Sequence, residues 1–534
     1  MRRLVLVSAT CLGLFAGCSG AGNALDAATP APGERPRSGG VLSLLLSASG
    51  DPPTYDLHRE SVAAAIDVGG PVYENLLRFE PLAPTTISPD LATRWEAATD
   101  GLGYTFSLRP GVRFHSGSVF TATDAVFSLQ RVGSPPGAMA SPRKAGLEAV
   151  QAYQAIDAHT VRLQLSRPSP SLLANLAQGW MVMYERAWVE AGGNERPTTE
   201  MNGTGPFRPK AHQRGASFEV ERSADYWLPG LPYLDGIKLL VVPDFSTRIA
   251  ALRTGQVHVG RVFATDGDTL GQALGDKVTV SRTPAQSFGS LTMNARRAPF
   301  DDPRVREAVN LAIDRQANVQ LLAQGAGEPG GFMTPGGAWA LPPAEVAKLP
   351  GYGTDKAADI AVARRLLNEA GYGSSFDTTI TTRTGQTFET LAVVMADQLK
   401  KVGISATIVP METTRAFDAA QRGDFGLLTW GHEFALDDPD AVYGEFYGCG
   451  AGRNYFGLCL PEVDALMQQQ SRETNPDQRR RMVLDLERSA VKAGIKLITH
   501  WNHRVDVWWN QVHNYRPHAA PFNNARYREV WLSQ

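Results

Sequence analysis

Along residues 103–109, Tyr104, Phe106 and Leu108 alternate with Thr105, Ser107 and Arg109, the period of two expected of a half-buried strand. Pro110-Gly111 breaks it, Val112 and Phe114 predict a second short strand, and Ser116-Gly117 turns the chain again. A helix follows, with Thr123 as N-cap, Asp124 in the first turn, and Ala125, Val126, Phe127 and Leu129 opening its apolar face. Upstream, 41–46 is a continuous apolar run of strand length, suited to a sheet covered on both faces. A loop and a helix carrying Val68, Val72, Leu76 and Leu77 on one face come next.

Downstream, residues 155–165 read as a strand pair turning at Asp157-Ala158, and Phe218-Glu219-Val220 and 237–242 read as strands. The second half alternates helix and strand. Asp302-Pro303 opens a helix buried through Val305, Ala308, Val309, Ala312 and Ile313; helices over 355–370, 390–402 and 475–493 follow, with strands at 404–409 and 425–430. Such alternation predicts an α/β protein with mixed or parallel sheets. At 534 residues the chain exceeds what one core serves, so two or three domains are expected.

The order of residues in 91–131 resembles the signature of the extracytoplasmic solute-binding proteins of ABC importers, family 5, the oligopeptide-, dipeptide- and nickel-binding type. The carrying motifs are L-A-x-x-W at Leu91, Y-T-F-x-L-R at Tyr104, G-V-x-F-H at Gly111 and F-T-A-x-D at Phe120, with Ala125 an extra residue before Val126. The G-T-G-P-F segment at Gly203 and the Y-W-x-x-G-x-P-Y-L-D segment at Tyr226 extend the likeness over most of the chain. The resemblance implies a three-lobed, type II periplasmic-binding-protein-like fold, two main lobes closing on a ligand cleft plus an extra domain. By that likeness a discontinuous first lobe spans 39–80, 203–285 and 500–534; the second spans 81–202 and the third 286–499.

Composition agrees with a globular body: 43% hydrophobic, 20% charged, with 52 basic against 54 acidic residues. No basic excess is present to hold a phosphate backbone, which argues against nucleic acid as a partner. Residues 1–17 read as a leader, with Arg2-Arg3 ahead of a short apolar stretch, and 14–18 resemble the lipobox of bacterial lipoproteins, with Cys18 the acylated residue. An ordinary cleaved leader is the alternative. Residues 18–38, rich in Gly, Ala, Pro and Ser, read as a flexible tether to a membrane surface. Cys449 and Cys459 remain; in an oxidising compartment they predict a disulfide, since a two-thiolate metal site would favour C-x-x-C spacing.

No H-E-x-x-H, G-x-S-x-G or Walker loop occurs, and Gly325 to Gly330 matches G-x-G-x-x-G without a preceding strand, so it reads as a loop. The ten histidines are scattered; His500, His503, His513 and His518 lack an accompanying carboxylate or thiol cluster, so neither a metal nor a cofactor is expected. The richest polar stretch is 428–459. Its resemblance to peptide-binding relatives places a tryptophan at Trp430 and, three residues on, an acid for a peptide's ammonium at Glu433. Counted back from Asp438-Pro439-Asp440 that place falls on Ala435, because the segment is two residues longer; Asp437 is the reserve, and a cargo without an α-amine stays open. Arg383 occupies the place where dipeptide binders carry an arginine for the ligand carboxylate, a task suited to a guanidinium fork. Asn454 and Tyr455 are further candidates for hydrogen bonding or stacking, and Trp508 and Trp509, adjacent on a strand, must point to opposite faces.

The expected function is therefore a non-enzymatic, lipid-anchored receptor, monomeric, that captures a small solute and delivers it to an ABC permease and ATPase complex at the outer face of the membrane or in the periplasm. Peptides are the first-choice cargo, with nickel chelates, haem, sugars or opine-like compounds as alternatives. A lipoprotein hydrolase and a chaperone or sensor on the same fold are the readings from other classes.

Overall fold

The computed structural model describes residues 35–46, 50–81, 83–373, 375–518 and 526–533. Cys18, the leader and the tether as far as residue 34 lie outside them. The main element is one large mixed sheet. Across it run the strands Ile404–Met411, Phe376–Arg383, Leu427–Glu433, Val278–Met293, Lys496–Trp509, Val259–Val262, Val41–Leu45, Gly236–Leu240, Ser217–Arg222 and Phe207–Gln213, in that order.

Two of these strands dominate. Val278–Met293 and Lys496–Trp509 pair antiparallel along nearly their whole lengths, from Val278 opposite Trp509 to Thr292 opposite Lys496. Register breaks twice, between Pro284 and Phe288 and between Gly289 and Ser290. Bulges bend and twist a ladder, and here they divide the sheet into two halves. One half holds parallel strands Val41–Leu45, Gly236–Leu240 and Val259–Val262; the other holds parallel strands Phe376–Arg383, Ile404–Met411 and Leu427–Glu433.

Separate apolar cores serve these parts. Leu42, Leu44, Ile237 and Leu239 pack with Val68, Val72 and Tyr73 in the first half. In the second, Leu291, Met293, Leu427 and Leu497 line one face of the sheet, and Phe288, Ile498 and Trp501 line the other. A second, four-stranded sheet (Ala92–Ala97, Gly103–Leu108, Thr160–Leu165, Val150–Asp157) carries its own core of Phe106, Leu108, Val161, Leu163 and the helix Ala122–Gly133.

Several local readings need correction. Val112 and Phe114 are buried but form no strand beyond an isolated bridge from Arg113 to Val119; the alternating strand Gly103–Leu108 pairs instead with Ala92–Ala97 and Thr160–Leu165. The helix cap is Thr121, not Thr123: the Asp124 carboxylate accepts from the Thr121 N–H and hydroxyl, a reciprocal closure available only at a three-residue spacing. The first helix covers only Ala63–Gly69, because Gly69-Gly70-Pro71 ends it; Val72 and Leu76 are buried on the irregular chain that follows.

The resemblance motifs meet in space. Glu74, fully buried, accepts hydrogen bonds from Thr204 Oγ1 (3.1 Å), Tyr226 Oη (2.7 Å) and Trp227 Nε1 (2.6 Å). Arg109 lies over the Trp227 ring at 4.3 Å, and His115 donates to the Gly205 carbonyl. A Cβ on Gly203 or Gly205 would collide with the Val72 carbonyl, so close backbone approach requires glycine at both places. These motifs thus clamp the first core to the four-stranded sheet.

Candidate functional site

In open α/β sheets ligands sit beyond the carboxyl ends of the parallel strands. In the second half those ends carry Arg383, the last residue of Phe376–Arg383, and Trp430 to Glu433, the end of Leu427–Glu433. The helix Gln386–Lys400 starts three residues after Arg383 and aims its positive N-terminal end at the same edge.

Trp430 is buried against Phe417 (ring centroids 4.7 Å) and Tyr455 (6.4 Å). The Arg383 guanidinium is held between two rings, 3.7 Å from the centroid of Phe388 and 4.6 Å from that of Trp430. Among the described residues it forms no ion pair, and its buried Nε–H has no acceptor. Burial, and secondarily the Arg453 charge, push its pKa below the usual arginine value. Arg453 pairs with Glu445 at 2.9 Å.

Behind Trp430 lies a buried ammonium that sequence reasoning missed. Lys496, 4% exposed, donates to His432 Nε2 (3.0 Å), Ser290 Oγ (3.3 Å) and Thr292 Oγ1 (3.4 Å), and lies over the Phe446 ring. Burial lowers its pKa to about 7. His432 is driven well below its ordinary value, first by burial and then by Lys496, Arg453 and Arg383, so it is a neutral acceptor. Arg383, Arg453 and Lys496 together give this end of the edge a positive field. The one visible signal for Lys496 is a lysine opening an otherwise apolar strand, Lys496-Leu497-Ile498.

Glu433, 39% exposed, projects from the same strand and meets Arg261 of the first half at 3.8 Å. Asp437 lies elsewhere: it is buried, accepts from the Thr334 hydroxyl at 2.8 Å, and burial raises its pKa to about 6. Asn454 spends its amide on the carbonyls of Gly448 and Leu458 and accepts from the Gly457 N–H, shaping the loop closed by the Cys449–Cys459 disulfide. That loop sets Tyr455 against Trp430.

The longer segment after Glu433 reaches away from its own half. Leu436 is buried in the core of the four-stranded sheet, Ala435 packs against both that core and the first one, and Ser171 donates to Asp440 at 2.6 Å. Trp508 and Trp509 do point to opposite faces, one toward Tyr515, the other donating to the Leu252 carbonyl. Gly327–Glu328, inside the glycine-rich stretch, makes a two-residue bridge to Asn502 and Trp501. His503 pairs with Glu328, and His513 stacks on Trp531. Among the described residues no group of three or more histidines, cysteines and acids is arranged to hold a metal, and no helix is long and apolar enough to cross a membrane.

Comparison with known proteins gives this geometry a family. Residues 86–454 match the model of bacterial extracellular solute-binding proteins, family 5, middle region. The dipeptide-binding protein of Escherichia coli is 27% identical over 457 residues, 80% of this chain and 83% of its own length. The heme-binding protein A of Haemophilus influenzae is 28% identical, over 77% of this chain and 78% of its own. Among solved structures, the periplasmic binding protein DppA of Helicobacter pylori in complex with the peptide STSA superposes with a TM-score of 0.77 at 24% identity, covering 93% of this chain and 99% of that one. The fold is that of the periplasmic binding proteins, mixed α/β with a curled sheet. The chain belongs to family 5 of the bacterial extracellular solute-binding proteins, the non-enzymatic, substrate-capturing components of ABC importers.

Proposed function

We propose that this receptor carries di- and oligopeptides and holds them first by their carboxylate. The observation that carries this reading is Arg383: a guanidinium stacked between Phe388 and Trp430, with no acid of its own among the described residues, beside a second arginine and a buried lysine. A fixed, partly desolvated fork of this kind suits a bidentate carboxylate. Glu433 is the first choice for the cargo's ammonium and Asp437 the reserve, while Tyr455 supplies an aromatic wall and Asn454 holds the loop that presents it. The names of the relatives support peptides as cargo, among them a dipeptide-binding protein and two di/tripeptide-binding proteins of Pseudomonas aeruginosa; the heme-binding relative and the agropinic acid complex of the structural neighbour AgaA mark the alternatives.

In this reading the first lobe comprises 39–80, 203–285 and 500–534, the second 81–202 and the third 286–499, and closure joins the first to the third over the cargo. Cys18 carries the lipid anchor after removal of 1–17, 18–38 tether the body, and an ABC permease and ATPase receive the cargo. The test is calorimetric titration with dipeptides. Arg383→Ala weakens binding at least thirtyfold, about 2 kcal/mol, as expected when one partner of a desolvated charge pair is removed. Unchanged affinity in Arg383→Ala overturns the assignment.

A further inference from the structure

Arg261 and Glu433 stand on strands that are not neighbours. Val278–Met293 and Lys496–Trp509 both lie between them. With adjacent strands about 4.8 Å apart, a flat sheet would separate their backbones by roughly 14 Å before any stagger along the strands. The side chains nevertheless approach to 3.8 Å. Through Asp506, Arg261 is in register with Ser281, whereas Glu433 is in register with Ser287, six residues further along the strand; the sheet therefore curls at the register breaks of residues 284–290, and the pair spans the resulting concavity from one half to the other.

Two close neighbours of this pair are already committed. Arg504 is bound in bidentate fashion to Asp506, at 2.5 and 2.7 Å, and Asp506 also accepts from Tyr515. Ser287, which stands opposite Glu433 in the ladder, accepts from Asn502. Arg261 and Glu433 differ from these. They are 31% and 39% exposed, and their separation is longer than a good hydrogen bond, so the contact is loosely held and open to exchange with another cation.

We infer that Arg261 is a specificity-determining residue: it serves Glu433 as a built-in counter-ion on the opposite wall, so an incoming ammonium has to displace it. A carboxylate cargo without a free amine leaves the Arg261–Glu433 pair in place and meets no unpaired acid. The protein consequently accepts amine-free and amine-bearing cargo with similar affinity, the second half of recognition being done by Arg383. The inference rests on the reading of Glu433 as the acid that meets a cargo ammonium.

The experiment compares alanyl-phenylalanine with its N-acetyl derivative by calorimetry, on the full chain and on Arg261→Ala, Glu433→Gln and the double variant. Both side chains are at least partly exposed, and a thermal melt of each variant verifies its folding. In the parent protein the two affinities differ by less than about tenfold; Arg261→Ala raises the preference for the free amine by about tenfold or more, and adding Glu433→Gln abolishes that gain. An unchanged ratio in Arg261→Ala, with Glu433→Gln still altering it, overturns the inference and spares the role of Glu433. A ratio indifferent to Glu433→Gln in every background removes the ammonium role and this inference with it. Failure of the parent protein to hold either compound removes the peptide reading and the inference together.

Discussion

Lys496 shows how burial converts an ordinary residue into a conditional one. Its ammonium has two hydroxyls and a neutral imidazole as partners and no carboxylate within ion-pair distance among the described residues. Burial lowers its pKa from 10.5 to about 7. Between those values the unfolded chain binds more protons than the folded one, so this group makes stability rise with pH from about 7 to 10.5, and its full penalty applies below 7. Lys496→Met removes that titration. The melting temperature of the variant relative to the parent is expected to fall as pH is raised from 6 to 9; a difference that stays level across that range refutes the assignment. At this scale the sequence offered Arg383 and Trp430 as candidates through resemblance, since each sits in a recognisable stretch, and the structure brings the two together. Phe388, Arg453, Lys496 and Arg261 were not legible, because what unites them is the edge of a folded sheet and not a spacing along the chain.

Elements with local punctuation were read well. Asp302-Pro303, Asp355 and Asn475-Pro476 each supply a capping side chain, and the helices Pro303–Ala312, Lys356–Glu369 and Pro476–Ala493 begin there. Burial without regular structure misled the reading: Val72, Leu76, Val112 and Phe114 are apolar because cores from distant segments press on them. The segment after Glu433 carries Leu436 into the core of the four-stranded sheet. Burying a leucine contributes about 1.5–3 kcal/mol, and here that energy ties the segment after Glu433 to the four-stranded sheet. Leu436→Ala is therefore expected to cost about 2–4 kcal/mol of stability, read as a lower melting temperature. An unchanged melting temperature would show that this contact holds nothing together.

The whole molecule is a pair of sheet halves joined by two long strands, with the four-stranded sheet held to the first half through Arg109 on Trp227 and His115 on the Gly205 carbonyl. The α/β class was visible in the alternation of helix and strand; the first half was not, since it is assembled from stretches on both sides of the second whose pairing no local pattern encodes. Cargo that binds only the folded, closed form stabilises it by mass action, about 2.7 kcal/mol at a free concentration one hundred times Kd. A saturating peptide is thus expected to raise the melting temperature and contract the scattering profile together. A thermal shift with no contraction would mean binding without closure.

Because Val278–Met293 and Lys496–Trp509 each begin in one half and finish in the other, the first half is split in the gene around the stretch that encodes the second. A truncated product ending between residues 293 and 496 leaves the longest ladder of the protein without its mate, exposing a bare edge of sixteen residues, Val278–Met293, to self-association. Losing either side would therefore cost the other a part of both long strands.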